Sequence, residues 1–406
     1  MKLHVLEKLA ATNPDCEIWW DSSPLVYAKW KRETLDRAPE EKKADWTAQL
    51  TRLFDADRLQ VESHMGFHGV TTNPPLSLQA IQNNPSYWIR RIQEIAAILP
   101  GDDVETVYWT LYLDIVRRGA EMILPFHEKS GGKFGFISGQ VDPRFVNDRA
   151  RMLQQGEQLA AIGRNVMVKI PGSREGYEVI EELTARGIPT NNTTSFTVPQ
   201  YVACMNAVTS GLERAKAANV DLSRWRSVIT HMSARLGNIG DLKSQAEARN
   251  IVLSPEDILH GELAVIKRAY RLGKAAGHPS KMLQCSMRVV DQGPDKPASS
   301  WHIEKLAGGD LVYTCPPGYI TQLMQVEDRL PEFDPGAIHE DPPKAVIDKL
   351  RRIPYFRQAY EVDGMRPEEF SHFGAFAATA SEFAGATRKT VDFVARALES
   401  TKLRAA

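Results

Sequence analysis

One lysine, Lys169, interrupts an otherwise apolar run in "NVMVKIPGSREG" (165–176), which a Pro-Gly pair then ends. An amine attacks a carbonyl only when unprotonated, and apolar burial lowers a lysine's pKa by as much as ~3–5 units. Val166, Val168 and Ile170 are expected to supply those surroundings. The chemistry on offer is a Schiff base. The competing reading is a strand-end lysine whose stem packs while its head reaches water. Asp21 follows Trp19 and Trp20 in "EIWWDSS". It reads either as a general acid/base tuned by apolar neighbours or as a turn aspartate.

Other polar residues sit where β-rich runs end. They are Thr71 with Asn73, Gln140 with Asp142, Asn191 with Thr193, Arg235, Ser286 with Arg288, and Thr314. "TNNTTSF" offers amides and hydroxyls suited to a sugar's hydroxyl groups or to positioning a water. "TTNPP" can be a plain turn, with Asn73 restricted by the proline after it. Arg235 and Arg288 each have a serine two residues before them, and two arginines at neighbouring strand ends would form a bidentate anion clamp. His64 and His68 are spaced i,i+4 without an H-E-x-x-H pattern, so packing or capping is expected and no metal site.

Eight segments must position these residues: 17–23, 68–74, 133–141, 165–171, 187–196, 226–232, 281–287 and 310–317. Their apolar runs are near-continuous, as in parallel strands covered on both faces. Helical patterns fill most gaps. In "SREGYEVIEELTARG", Ser173 is the expected N-cap, Tyr177, Val179, Ile180 and Leu183 share a face, and Gly187 ends the helix. Residues 256–277 form a second clear helix, and "VYWTLYL" reads as a helix packing face. Eight strands alternating with helices predict an α/β fold, a (β/α)8 TIM barrel with extra helices. A doubly wound open sheet is the alternative, but neither G-x-G-x-x-G nor a P-loop is present. Residues 1–406 are read as one barrel domain. It carries helical insertions near 97–131 and 326–370, the latter a surface excursion, and a C-terminal helix near 374–399.

The 406 residues are 43% apolar and 25% charged, which argues against disorder. A net charge of −1 gives no global field toward nucleic acid or membrane, so an anionic substrate must be held by a few local cations. No stretch approaches the length of a membrane span, and the N-terminus lacks a signal-peptide core. Cys16, Cys204, Cys285 and Cys315 lie far apart, which fits a reducing, cytoplasmic setting. The oligomeric state stays open, a homodimer among the options.

Taken together, the strings resemble the transaldolase family of class I aldolases over roughly residues 16–320. "GVTTNP" resembles its T-T-N-P segment. "VMVKIPGSREGYEVIEELTARGIPTNNTTSF" resembles its lysine strand, helix and N-x-T before phenylalanine. "IWWDSS" resembles the acid/base strand, and "THMSAR" and "CSMR" fall where the family keeps phosphate-binding arginines. The resemblance implies an α/β barrel that needs no cofactor or metal and acts on sugar phosphates. Lys169 would form the Schiff base with a ketose phosphate and Asp21 would be the acid/base. Thr193 would position a water. Asn73 and Asn191 would hold hydroxyls of the bound three-carbon unit, with Thr71 and Ser286 as further substrate contacts. Arg235 and Arg288 would grip phosphate.

One position departs from the pattern. Transaldolases usually carry glutamate where "ISGQVDP" has Gln140, whereas the fructose-6-phosphate aldolase branch carries glutamine. Glutamine orients a water but does not readily exchange a proton. Met232 stands where the resemblance implies phenylalanine or tyrosine and so matches neither branch.

Overall fold

Burial on both faces accounts for the apolar runs, and all eight become strands. A computed structural model describes residues 2–57, 66–99 and 103–405. His64 and residues 100–102 of the expected insertion lie outside the described residues. The strands are β1 (Glu17–Asp21), β2 (Phe67–Thr71), β3 (Phe136–Gln140), β4 (Val166–Pro171), β5 (Thr190–Thr193), β6 (Ser227–Met232), β7 (Lys281–Cys285) and β8 (Leu311–Cys315). They close in sequence order into one barrel in which every neighbouring pair is parallel. The open-sheet alternative is thereby excluded.

β5 is much shorter than the 187–196 expected. Thr194 takes a left-handed φ of 49° and turns the chain at once. Strand register then aligns the polar ends. Asp21 sits opposite Thr71, and Gln140 opposite Lys169, which in turn faces Asn191.

The expected local signals act as written. The Ser173 hydroxyl accepts from the Gly176 amide at 3.0 Å and starts the helix Arg174–Ala185, and Gly187 follows at φ 71°. Gly176 is required sterically, because a Cβ there would lie 1.9 Å from the Pro171 carbonyl oxygen. The helix Pro255–Ala275 carries Lys274 in its last turn. Among the described residues, three helices lie between β2 and β3: Pro74–Asn83, Pro85–Ile98 and Val104–Lys129. The third packs on β3 and buries Tyr108, Leu111 and Tyr112 of "VYWTLYL".

Residues 326–370 form the expected short helices and expose much of their length, but they are anchored in the core rather than standing off it. Their short helices, Lys344–Leu350 and Pro354–Tyr360, pack on Pro255–Ala275, with Leu350, Ile353, Tyr355 and Phe356 buried. The prolines and charges that suggested exposure punctuate these short helices, while the apolar residues between them join the main core. The segment also anchors the next one. Tyr355 stacks on Phe373 at 4.3 Å, and its hydroxyl accepts from the Ala375 amide at 3.2 Å. The final helix, Gly374–Ala405, starts there, runs past the expected 399, and packs on all three helices between β2 and β3.

Candidate active site

The C-terminal ends of the strands surround a cavity of about 250 Å³. Strand alternation decides which side chains reach it. On β4, Lys169 lines the cavity, whereas Val168 packs beside Gly156 of the helix Arg149–Ala160. The expectation that Val166, Val168 and Ile170 shield the amine is therefore corrected: these alternate residues face away from it. Leu76, Met232, Leu283, Cys285 and Phe383, with Pro75 and Pro316, make up the apolar lining instead. Lys169 is buried, and its Nζ donates to the Thr72 carbonyl at 3.2 Å. Burial lowers its pKa below the ordinary lysine value, opposed by the negative charge of Asp21.

Asp21 lines the same cavity. Burial raises its pKa above the usual aspartate value, against the pull of Lys169 and a hydrogen bond from Thr71. That bond runs from Thr71 Oγ1 to Asp21 Oδ1 at 2.7 Å, and Thr71 also pairs with the Thr314 hydroxyl. Thr71 therefore fixes the carboxylate as well as lining the cavity. Both shifts run in the direction of the neutral form within the same space, which suits an amine nucleophile beside a proton carrier.

The remaining expected residues divide. Asn73, Thr193, Ser286 and Arg235 all line the cavity. The Asn73 side chain accepts from the Leu76 amide at 2.9 Å, capping Pro74–Asn83, so its position is set by the helix start. Ser286 sits at φ 58°, a left-handed turn at the end of β7. Asn191, in contrast, does not line the cavity. It is fully buried, donates to Ser138 Oγ and accepts from Thr230 Oγ1, both at 2.8 Å. Gln140 is also buried away from the lining. Its amide N–H donates to the Tyr112 hydroxyl at 2.9 Å, and its side-chain Oε1 has no protein partner among the described residues.

Arg288 corrects the paired clamp. It does not line the cavity, because its Nη2 donates to Glu262 Oε2 at 2.7 Å and its Nη1 reaches the Ala234 carbonyl at 3.4 Å. Glu262 is fully buried on Pro255–Ala275, with His302 Nε2 3.0 Å from the same oxygen. A buried carboxylate is a strong partner for a nearby guanidinium.

Sequence reading missed Thr230, Glu382 and Phe383, which also line the cavity. Thr230 was findable, being two residues before Met232 on one strand face. Glu382 and Phe383 come from the C-terminal helix and carried no local signal. His68 lies in β2, buried in edge contact with Phe134, and its ring Nδ1 is 3.4 Å from the Ile18 amide. All four cysteines are buried free thiols, and no helix among the described residues is long and apolar enough to cross a membrane.

The family model for transaldolase/fructose-6-phosphate aldolase matches residues 51–361. "Transaldolase 1" of Streptomyces avermitilis is 29% identical over 326 residues, covering 76% of this chain and 82% of that protein. A transaldolase of Thiobacillus denitrificans is 28% identical over 310 residues, 71% of this chain and 83% of the relative. One from Mycobacterium tuberculosis reaches 33% over 201 residues, 46% and 53% of the two chains.

Proposed function

Because the chain belongs to the transaldolase/fructose-6-phosphate aldolase family, we propose that it is a transaldolase working through an imine on Lys169. The observation that carries this reading is the buried Lys169 amine sharing one cavity with Asp21. The amine adds to C2 of a ketose phosphate such as fructose 6-phosphate or sedoheptulose 7-phosphate and expels water. Asp21 in its protonated form can supply the proton that leaves with that water. The iminium then places a fixed positive charge nearby, which pulls Asp21 toward carboxylate. As carboxylate, Asp21 takes the C4 hydroxyl proton. The C3–C4 electron pair passes into the iminium, releasing the aldose phosphate and leaving a three-carbon enamine.

The enamine carbon next attacks the aldehyde of an acceptor aldose phosphate, and Asp21 protonates the new alkoxide. Water then hydrolyses the imine and frees Lys169. Asn73, Thr193 and Ser286 are placed to meet hydroxyls of the bound chain, and Arg235 to meet its phosphate. Asn191, held by Ser138 and Thr230, acts by fixing the cavity floor. Gln140 stands opposite Lys169 with an unpaired acceptor, suited to orienting the water used in imine exchange.

Gln140 also favours a second reading, an aldolase that releases free dihydroxyacetone. Turnover of fructose 6-phosphate with and without an aldose phosphate acceptor separates the two. The transferase reading expects strongly acceptor-dependent turnover. Comparable release of free dihydroxyacetone without acceptor would reject it in favour of the aldolase.

A further inference from the structure

Arg235 is the cavity's guanidinium, and in the free protein a carboxylate already holds it. Its Nη1 and Nη2 donate to the two oxygens of Glu382 at 2.6 and 3.2 Å, across 147 residues of sequence. A third bond goes from Nη1 to the buried Thr379 hydroxyl at 3.2 Å, and the guanidinium carbon lies 5.7 Å from the Phe383 ring centroid. Thr379, Glu382 and Phe383 are one wall of the C-terminal helix, and the last two line the cavity with Lys169. Arg288 offers no replacement, being tied to Glu262. The helix backbone is fixed by its packing on three other helices, but the Glu382 side chain is 55% exposed and can turn outward.

We propose that Glu382 is a specificity-determining residue that competes with the substrate's phosphate for Arg235. The inference rests on the transaldolase reading, with Arg235 as the phosphate contact. A phosphate reaching Arg235 must displace Glu382 or sit beside its negative charge. Either route weakens phosphate binding relative to a neutral residue at 382. Glu382 therefore trims the advantage a phosphorylated sugar holds over an unphosphorylated one. Ketoses and aldoses with neutral tails stay competitive as substrates.

The test compares kcat/KM for fructose 6-phosphate with kcat/KM for fructose, alongside competitive inhibition by inorganic phosphate. Glu382→Gln should raise the ratio about tenfold and strengthen inhibition by inorganic phosphate to a similar extent. Glu382→Ala, on an exposed helix face, is the second variant and should act in the same direction. In an Arg235→Gln background the effect of either change should vanish, as required if both act on one guanidinium. A ratio and an inhibition constant that stay within about twofold of the starting protein, or that move the other way, overturn the inference. Failure of the parent reading looks different: no variant turns over fructose 6-phosphate and no ketose adduct forms on Lys169, which removes both.

Discussion

One strand carries a carboxylate at each end, and their surroundings push the two pKa values in opposite directions. At the start of β1, Glu17 is buried among cations: Arg226 pairs with it, Lys281 sits 3.0 Å away, and the Trp19 indole donates to it at 3.0 Å. Burial alone would raise its pKa, but Arg226 and Lys281 hold it well below the usual glutamate range. Burial likewise works against charge on Lys281, yet Glu17 and Asp310 keep its pKa above the ordinary lysine value. At the other end, Asp21 has one hydroxyl donor, the pull of a lysine whose own pKa burial lowers, and a weaker pull from Arg235. There burial wins for both groups. Burial is common to the two ends, so the number of opposite charges in direct contact sets the direction of each shift. The N-terminal end is a paired ion cluster, and the C-terminal end holds the pair proposed to react.

The comparison breaks most visibly at Lys169. Lys169→Met should lower turnover by on the order of 10⁴-fold or more, because the nucleophile is gone. The same variant should be more stable than the starting protein at neutral pH. A lysine with a depressed folded pKa destabilises the fold fully below that pKa, and the penalty fades as pH rises to the ordinary value of 10.5. Thermal unfolding from pH 6 to 10 checks both the sign and the trend. Asp21→Asn should lower turnover about 10²- to 10⁴-fold in a steady-state assay, the range of a lost acid/base.

At the opposite end the signature reverses. Glu17→Gln should cost about 3 kcal/mol of stability in urea unfolding, by removing the carboxylate that pairs Arg226 and leaving Lys281 with Asp310 alone. Turnover by the folded fraction should change little. Because the Glu17 pKa is depressed, its contribution is present above the unfolded value of 4.5 and lost as pH falls through the folded value. The gap between Glu17→Gln and the starting protein should therefore close in acid.

Two smaller effects sharpen the account of the reactive end. Thr71→Val removes a hydrogen bond that favours the Asp21 carboxylate, so the acidic limb of the pH–rate profile should move to higher pH. Gln140→Glu, which adds an exchangeable proton opposite Lys169, should accelerate imine exchange about tenfold or less. Unchanged or slower exchange, followed by oxygen-isotope loss from the ketose carbonyl, would show that the glutamine does not limit this step.

Much of this was legible before folding. Near-continuous apolar runs named all eight strands because parallel barrel strands are covered on both faces. Ser173 and Gly187 bounded their helix because capping is a local interaction. The placement of Asp21 and Lys169 near strand ends was legible in the same runs, whereas Arg235 lies in the short helix Ser233–Asn238 that follows β6. What failed depended on partners distant in sequence. Arg288 reads as a substrate contact until Glu262 arrives from an earlier helix. Residues 326–370 look like surface until Leu350, Ile353, Tyr355 and Phe356 are seen against Pro255–Ala275. Asn191 looks free to bind a hydroxyl until Ser138 and Thr230 occupy it. The reading of Lys169 as a shielded amine named the wrong neighbours, since strand alternation turns Val168 into the helix layer.

The most direct test is borohydride trapping of fructose 6-phosphate across pH, with the labelled peptide identified by mass. An amine kept neutral by burial should give a three-carbon adduct on Lys169, with a trapping rate that levels off well below pH 10.5. Label on another lysine, or a rate on Lys169 that keeps climbing to the ordinary lysine pKa, would contradict the account.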